Sequence, residues 1–246
     1  MAERRQRTQQ WTKGRIVLLV LLFAALLALE WYQRQEAAQE TADSREEVPA
    51  YDGSPYAVLS GNVPSFTEEE KTVSNSFERY SELDGLGRCG AAYANVGPDL
   101  MPTEERGSIG QVKPSGWHTV KYDGIDGRYL YNRCHLIGYQ LTAENANVQN
   151  LITGTRYLNV EGMLPFENMV ADYVEETGEH VLYRVTPDFR EEELVARGVQ
   201  IEAWSVADGG ESVCFNVYCY NVQPGIGIDY STGESWEETG SSDPGR

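Results

Sequence analysis

Apolar and polar positions divide the chain into an apolar N-terminal run, a polar stretch, a long mixed region and a polar end. The run from 16 to 29 is almost wholly apolar, with Arg4, Arg5, Arg7, Lys13 and Arg15 before it and Glu30, Trp31 and Tyr32 after it. A basic flank, an apolar core and interfacial aromatics, in that order, predict a segment held with its N-terminus inside the cell. Residues 16–32 read as an uncleaved signal anchor or transmembrane helix behind a basic cytoplasmic N-terminus, 1–15, because no small-x-small cleavage site follows. A cleaved signal peptide is the alternative, since the run is shorter than the ~20 residues of a comfortable span. Either reading exports the rest of the chain. Residues 33–55 are rich in Glu, Gln and Ala without an apolar stripe and predict a linker. Residues 233–246, rich in Gly, Ser and Glu, predict a disordered tail.

Between them, 56–232 reads as one domain, large enough to bury a core without disulfide staples. Alternation predicts strands over 117–122 and 129–131, separated by a turn at 123–127. Residues 145–150 carry loop chemistry. Pro165 suits the first turn of a helix that stops at Gly178, with Phe166, Met169, Val170 and Tyr173 on its apolar face. Three further strands are predicted over 180–186, 199–206 and 213–222; imperfect alternation in the last suits a strand covered on both sides. The class is α+β, with an antiparallel-rich sheet and few helices.

Charge complicates the picture. The formal net charge is −18, which argues against a nucleic-acid partner, because phosphate binding needs a basic surface. The acid is unevenly placed, however. Between 101 and 165, Arg106, Lys113, Lys121, Arg128, Arg133 and Arg156 balance six acidic residues, while the excess lies in outlying runs and the tail. Cys89, Cys134, Cys214 and Cys219 form no Cys-x-x-Cys pair of the kind that builds a zinc site. Cys214 and Cys219, five apart in a predicted strand, point to opposite faces.

The candidate chemistry starts from three histidines, His118, His135 and His180. His118 and His180 fall within strand-like runs and read as structural or surface residues. His135 differs: it follows Asn132, Arg133 and Cys134 at a strand end, and Leu136-Ile137-Gly138 then turns the chain. Asn150 and Asn159 lie nine residues apart downstream, and Glu167 eight residues further on.

Asn132-Arg133-Cys134-His135 resembles the Asp-Arg-Gly-His motif of the DNA/RNA non-specific endonucleases, the ββα-metal class. The stretch 150–167 is similar to the Gram-positive branch of that family, which includes secreted streptococcal DNases and the membrane-bound DNA-entry nuclease. The resemblance covers roughly 80–230. It implies a ββα-metal nuclease fold and hydrolysis of phosphodiesters in DNA, and in RNA, without strong sequence preference, leaving 5′-phosphates. By position it implies His135 as general base, Asn159 as ligand to a divalent metal, Asn150 as a second active-site amide on the substrate side, and Glu167 as the residue orienting water on the metal. Arg133 and Arg106 are implied at the reacting phosphate, and Arg156 as a substrate contact. Oxygen ligation points to Mg²⁺, with Mn²⁺ as substitute, over zinc. A neutral imidazole with an ordinary pKa near 6.5 suits a base at working pH.

Asn132 stands where the motif has aspartate and Cys134 where it has glycine. Two rivals follow. A cysteine nucleophile at Cys134 has poor geometry, because adjacent strand residues point to opposite faces. A catalytically weakened or inactive nucleic-acid-binding domain on the same fold is the stronger alternative.

Overall fold

The computed structural model describes residues 48–238. The basic N-terminus, the anchor at 16–32, most of the linker and residues 239–246 lie outside the described residues. Among the described residues no helix is long and apolar enough to cross a membrane.

Six strands form the main sheet: β1 (Tyr56–Val58), β2 (Phe77–Tyr80), β3 (Ala92–Val96), β6 (Val181–Pro187), β7 (Gly198–Ser205) and β8 (Cys214–Tyr220). They run in the order β1-β8-β7-β6-β3-β2, every neighbouring pair antiparallel. Alternation then sorts the side chains. Ala92, Ala94, Val96, Val181, Tyr183, Val185, Val199, Ile201, Ala203, Phe215, Val217 and Cys219 share the main core. Residues between them, such as Arg184, Glu202 and Asn216, take the other face. There Glu202 is buried, but its carboxylate accepts from Ser65 N–H, the Ser65 hydroxyl and Arg184 Nε, so its charge is fully partnered.

Against the apolar face lies a second unit. Strands β4 (Tyr131–His135) and β5 (Leu151–Thr155) pair antiparallel, with Tyr131 opposite Thr155 and His135 opposite Leu151. The short helix α1 (Tyr139–Thr142) lies between them in sequence. After β5 the chain enters a π-helical turn, Leu158–Met163, that runs into α2 (Leu164–Thr177). Pro165 sits in the first turn of α2, and Gly178, at φ 72°, closes it in the left-handed conformation. The buried face of α2 is Phe166, Val170, Ala171 and Val174. The expected Met169 is 46% exposed. Phe166 and Val170 face inward as expected, Ala171 and Val174 join them, and Tyr173 packs on the core while partly exposed. Burying each large side chain of this layer contributes about 1.5–3 kcal/mol.

Two further expectations shift. Residues 117–122 form no strand; only a single bridge joins Lys121 to Tyr129. The domain is also wider than 56–232. Tyr220 donates its hydroxyl to the Pro49 carbonyl at 2.8 Å, and Tyr51 packs on Tyr157 and Tyr220. At the other end β9 (Ile226–Ile228) pairs with β10 (Ser235–Glu237), so 233–238 is ordered. All four cysteines are free, and Cys214 and Cys219 lie on opposite faces of β8.

Candidate active site

The strand pair β4–β5, with the π-turn and α2 behind it, makes a ββα unit that opens on a cleft of about 770 Å³. Its walls include Arg106, Asn132, Arg133, His135, Gly138, Arg156, Asn159 and Glu167. Six of the seven residues expected at the site therefore converge there, with three arginines against one carboxylate. The acidity of the chain as a whole does not extend to this wall.

His135 ends β4, and its orientation is set from both sides. Its Nε2 lies 2.8 Å from the carbonyl oxygen of Asn145. A carbonyl only accepts, so Nε2 carries the proton and donates, leaving Nδ1 with a bare lone pair. Arg106 donates an N–H to that Nδ1 at 3.3 Å. The ring is buried. Burial foremost, with the Arg106 cation adding to it against the carbonyl of Asn145, pushes the imidazole down to about 4. The ordinary value of 6.5 expected from sequence therefore does not hold, and the ring is neutral throughout the physiological range.

Asn159 occupies the first turn of the π-helix, a wide turn of a kind common at functional sites. Its Oδ1 accepts from the thiol of Cys134 at 3.0 Å. A carbonyl oxygen has two lone pairs, so one remains for a ligand. Cys134 is fully buried, also touches Met163 Sδ at 3.5 Å, and has its thiol raised well above the ordinary range by burial. A buried protonated thiol that donates to an amide is no nucleophile, which removes the cysteine-enzyme rival. Space for it comes from Gly154, where a Cβ would stand 2.6 Å from Cys134 Cβ.

Glu167, one turn into α2, lays its carboxylate on Gly138; a Cβ there would meet carboxylate atoms at 2.7 to 2.9 Å. No hydrogen bond reaches this carboxylate among the described residues. Burial raises it to about 7, with the Arg106 cation opposing. Asn132 adds an orphan: its Nδ2 is buried without a partner.

The remaining expected residues take other positions. Asn150 is fully buried and does not line the cleft. Its Oδ1 accepts from Ile137 N–H and its Nδ2 donates to the Ile137 carbonyl, each at 2.9 Å. It holds the turn after His135 instead of touching substrate. Arg133 donates to the carbonyls of Val112 and Gly110 and stacks 4.0 Å over Trp117, so it pins the 110–117 loop. Arg156 pairs with Asp126 at 2.8 Å at the cleft edge. The sequence reading did not single out Asn145, whose carbonyl fixes the tautomer, or Gly138; neither a backbone oxygen nor a bare Cα leaves a residue-type signal. Trp117, Tyr129, Tyr139 and Gln140 also line the cleft, and clustered aromatics were their only sign.

Among the described residues no group of three or more His, Cys, Asp and Glu side chains converges as a metal cluster. The donors present suit a hard cation held by few protein oxygens and several waters: one amide oxygen and one carboxylate without a hydrogen bond.

A family model of the DNA/RNA non-specific endonucleases matches residues 68–207, more than half of the chain. The chain belongs to that family. Among solved structures, this endonuclease is similar to NucA from Streptococcus agalactiae with magnesium ion bound, at 25% identity and a TM-score of 0.69, over 83% of this chain and 98% of that one. The same nuclease with no metal bound matches at 26% identity and a TM-score of 0.68, over 83% and 97% of the two chains. The fold is shared with the Sda1 nuclease solved with bound zinc, at 24% identity and a TM-score of 0.62, over 75% and 97%. The likeness supports the Gram-positive branch of the family. The family match and these neighbours support a nuclease, a hydrolase of nucleic acids.

Proposed function

We propose that this endonuclease cuts DNA, and RNA as a second substrate, by metal-dependent hydrolysis with His135 as general base. One observation carries the reading: the Asn145 carbonyl pins Nε2–H, so the basic atom of the ring is Nδ1, held by Arg106 alone, in a residue that lines the cleft with Arg106, Asn159 and Glu167. His135 Nδ1 takes a proton from the attacking water, whose oxygen forms the new bond to phosphorus as the bond to the 3′ oxygen breaks. Products therefore carry 5′-phosphates. Burial keeps the imidazole neutral, so Nδ1 carries no proton and can accept one once Arg106 leaves it.

Mg²⁺, with Mn²⁺ as substitute, would be held by Asn159 Oδ1 and water, and when bound supplies Lewis-acid neutralisation of the phosphate and of the departing oxygen. The neutral amide leaves the cation's charge undiminished for the substrate. Glu167 orients water beside it. Arg106 transfers its N–H groups from Nδ1 to a phosphate oxygen when substrate enters, which both frees the base and stabilises the developing charge. Asn132, with a free buried donor where the motif has an acid, adds a neutral contact to that anion. Arg133 and Arg156 act at a distance, through the loop and the cleft edge. The order of charges and aromatics at the N-terminus favours a single-pass anchor with this domain outside the cytoplasm, a secreted form being the alternative.

The test is plasmid nicking over a series of divalent metals, with end-labelling of products before and after phosphatase. Nicking in Mg²⁺ or Mn²⁺, abolished by a chelator and giving ends that need phosphatase before a kinase labels them, is expected. Full activity in chelator, or 5′-hydroxyl ends, refutes the mechanism.

A further inference from the structure

The cleft extends well past His135, along the strand to the opposite end of β4. There the loop 121–129 is folded tightly. Lys121 bridges Tyr129, Tyr122 N–H donates to the Arg128 carbonyl at 2.9 Å, and Arg128 N–H donates to Ile125 at 2.8 Å. Gly127 and Arg128 both adopt positive φ, at 70° and 68°, and Ile125 is buried beneath the loop. An ion pair between Arg128 and Asp123, at 2.5 Å, closes it. A loop fixed this firmly presents what it carries at little further entropic cost.

It carries an aromatic ring and a cation. Tyr129 lines the cleft and is 46% exposed, whereas the similarly exposed rings of Tyr51, Tyr56 and Trp236 do not line it. Lys121 Nζ stands 4.3 Å from the ring centroid and makes no ion pair among the described residues. The other cations of this arm are engaged: Arg128 with Asp123, Arg156 with Asp126, and Arg133 with two carbonyls and Trp117. Each ring carries a cation on one face, but Trp117 is partly buried against the Ile125 cluster, whereas Tyr129 is exposed and so is the more accessible platform.

We propose that Tyr129 and Lys121 form a distal nucleotide subsite, in which an unpaired base stacks on the Tyr129 ring while Lys121 takes the adjoining phosphate. The proposal rests on the nuclease reading of His135. Tyr131 and His135 are the two ends of β4, so Tyr129 lies about 13 Å or more from the base at ~3.3 Å per residue. That distance exceeds the nucleotide being cut, so the subsite holds a neighbour of the scissile phosphate and contributes to binding, not to the bond-breaking step. A π-face accepts any base, which fits an enzyme without sequence preference. It also favours strands whose bases are not already stacked in a duplex.

Steady-state kinetics of Tyr129→Ala on a single-stranded 12-mer, the same 12-mer in duplex, and thymidine 5′-p-nitrophenyl phosphate test it. The expected result is a rise in KM of about tenfold on the single strand, a smaller rise on the duplex, kcat unchanged, and no change on the small diester, which cannot reach the subsite. Tyr129→Phe restores the wild-type KM, and Lys121→Gln lowers the salt dependence of KM on the single strand. An unchanged KM on the single strand, equal rises on single strand and duplex, or an equal loss on the small diester overturns the subsite. A wild-type protein inert on all three substrates would instead remove the nuclease reading beneath it.

Discussion

Two regions of this endonuclease gather the same kinds of side chain and differ in what they leave unused. At the edge of the main sheet, His180 Nε2 lies 3.0 Å from Ser76 Oγ, and the Ser76 hydroxyl donates to Asp99. Serine, histidine and aspartate together suggest a catalytic triad, but the hydroxyl sits between the other two. The aspartate therefore does not orient the imidazole, the serine proton is committed to a carboxylate, and the network is closed on itself. Around His135 every group is pinned on one side and free on the other. Nδ1 has only a movable arginine, Asn159 Oδ1 has one lone pair left, Glu167 lacks a hydrogen bond, and Asn132 Nδ2 has no partner. Residue type does not separate the two clusters; spare hydrogen-bonding capacity facing a cleft does.

The sharpest way to break this contrast is to remove each imidazole in turn. His135→Ala should lower nicking of plasmid by about 10³-fold or more, with an unchanged circular dichroism spectrum. His180→Ala should alter it by less than about twofold. Comparable losses in both would dissolve the distinction. Next, Asn159→Ala should lower the rate at fixed Mg²⁺ by at least about 100-fold, since the cation supplies several kcal/mol of charge stabilisation. Calorimetry should show Mn²⁺ binding lost in the same variant. Binding of Mn²⁺ at wild-type strength would move the cation elsewhere.

Glu167 gives a smaller effect with a definite sign. Its carboxyl is raised from the ordinary 4.5 to about 7 in the folded protein. The folded state then holds the proton more tightly than the unfolded one, so stability falls as pH rises from about 4.5 through about 7. In chelator, Glu167→Gln should be more stable than wild type at pH 8 by on the order of 2 kcal/mol, and equal to it at pH 4. His135, at about 4, is already neutral across that window. In chelator, the limb of the stability profile across that window should therefore follow Glu167 and vanish in the glutamine variant. A limb that persists there assigns the ionisation to another group. Smallest is the thiol. Cys134→Ala should weaken Mn²⁺ binding by up to about tenfold, the lower end of what partners of metal ligands contribute. Cys134→Ser, which keeps a donor, should hold near wild type. Equal affinities in all three would leave the sulfur as packing alone.

Where hydrophobic period and burial coincide, the sequence was easy to read. Strands β6, β7 and β8 lie within a residue or two of the expected bounds, because long apolar alternations next to a buried helix leave one register. Short elements were not visible: β1, β9 and β10 have three residues each, too few for a period. On α2 only Met169 departs from the expected apolar face, because hydrophobic residue type alone does not tell an exposed methionine from a buried one. At the site, the family resemblance pointed to His135, Asn159 and Glu167, and one cleft gathers all three. Asn150, expected on the substrate side, is buried on a backbone turn behind the cleft wall; in sequence such an asparagine looks like one that faces a ligand.

The close approach of Gly154 to Cys134 couples two positions that are twenty apart along the chain. The dependence runs one way: a methyl group at 154 would push the sulfur against the amide that it steadies, whereas a bare backbone at 134 would tolerate one opposite. Position 154 is therefore locked to glycine for as long as 134 carries a side chain, and glycine at 134 would release it.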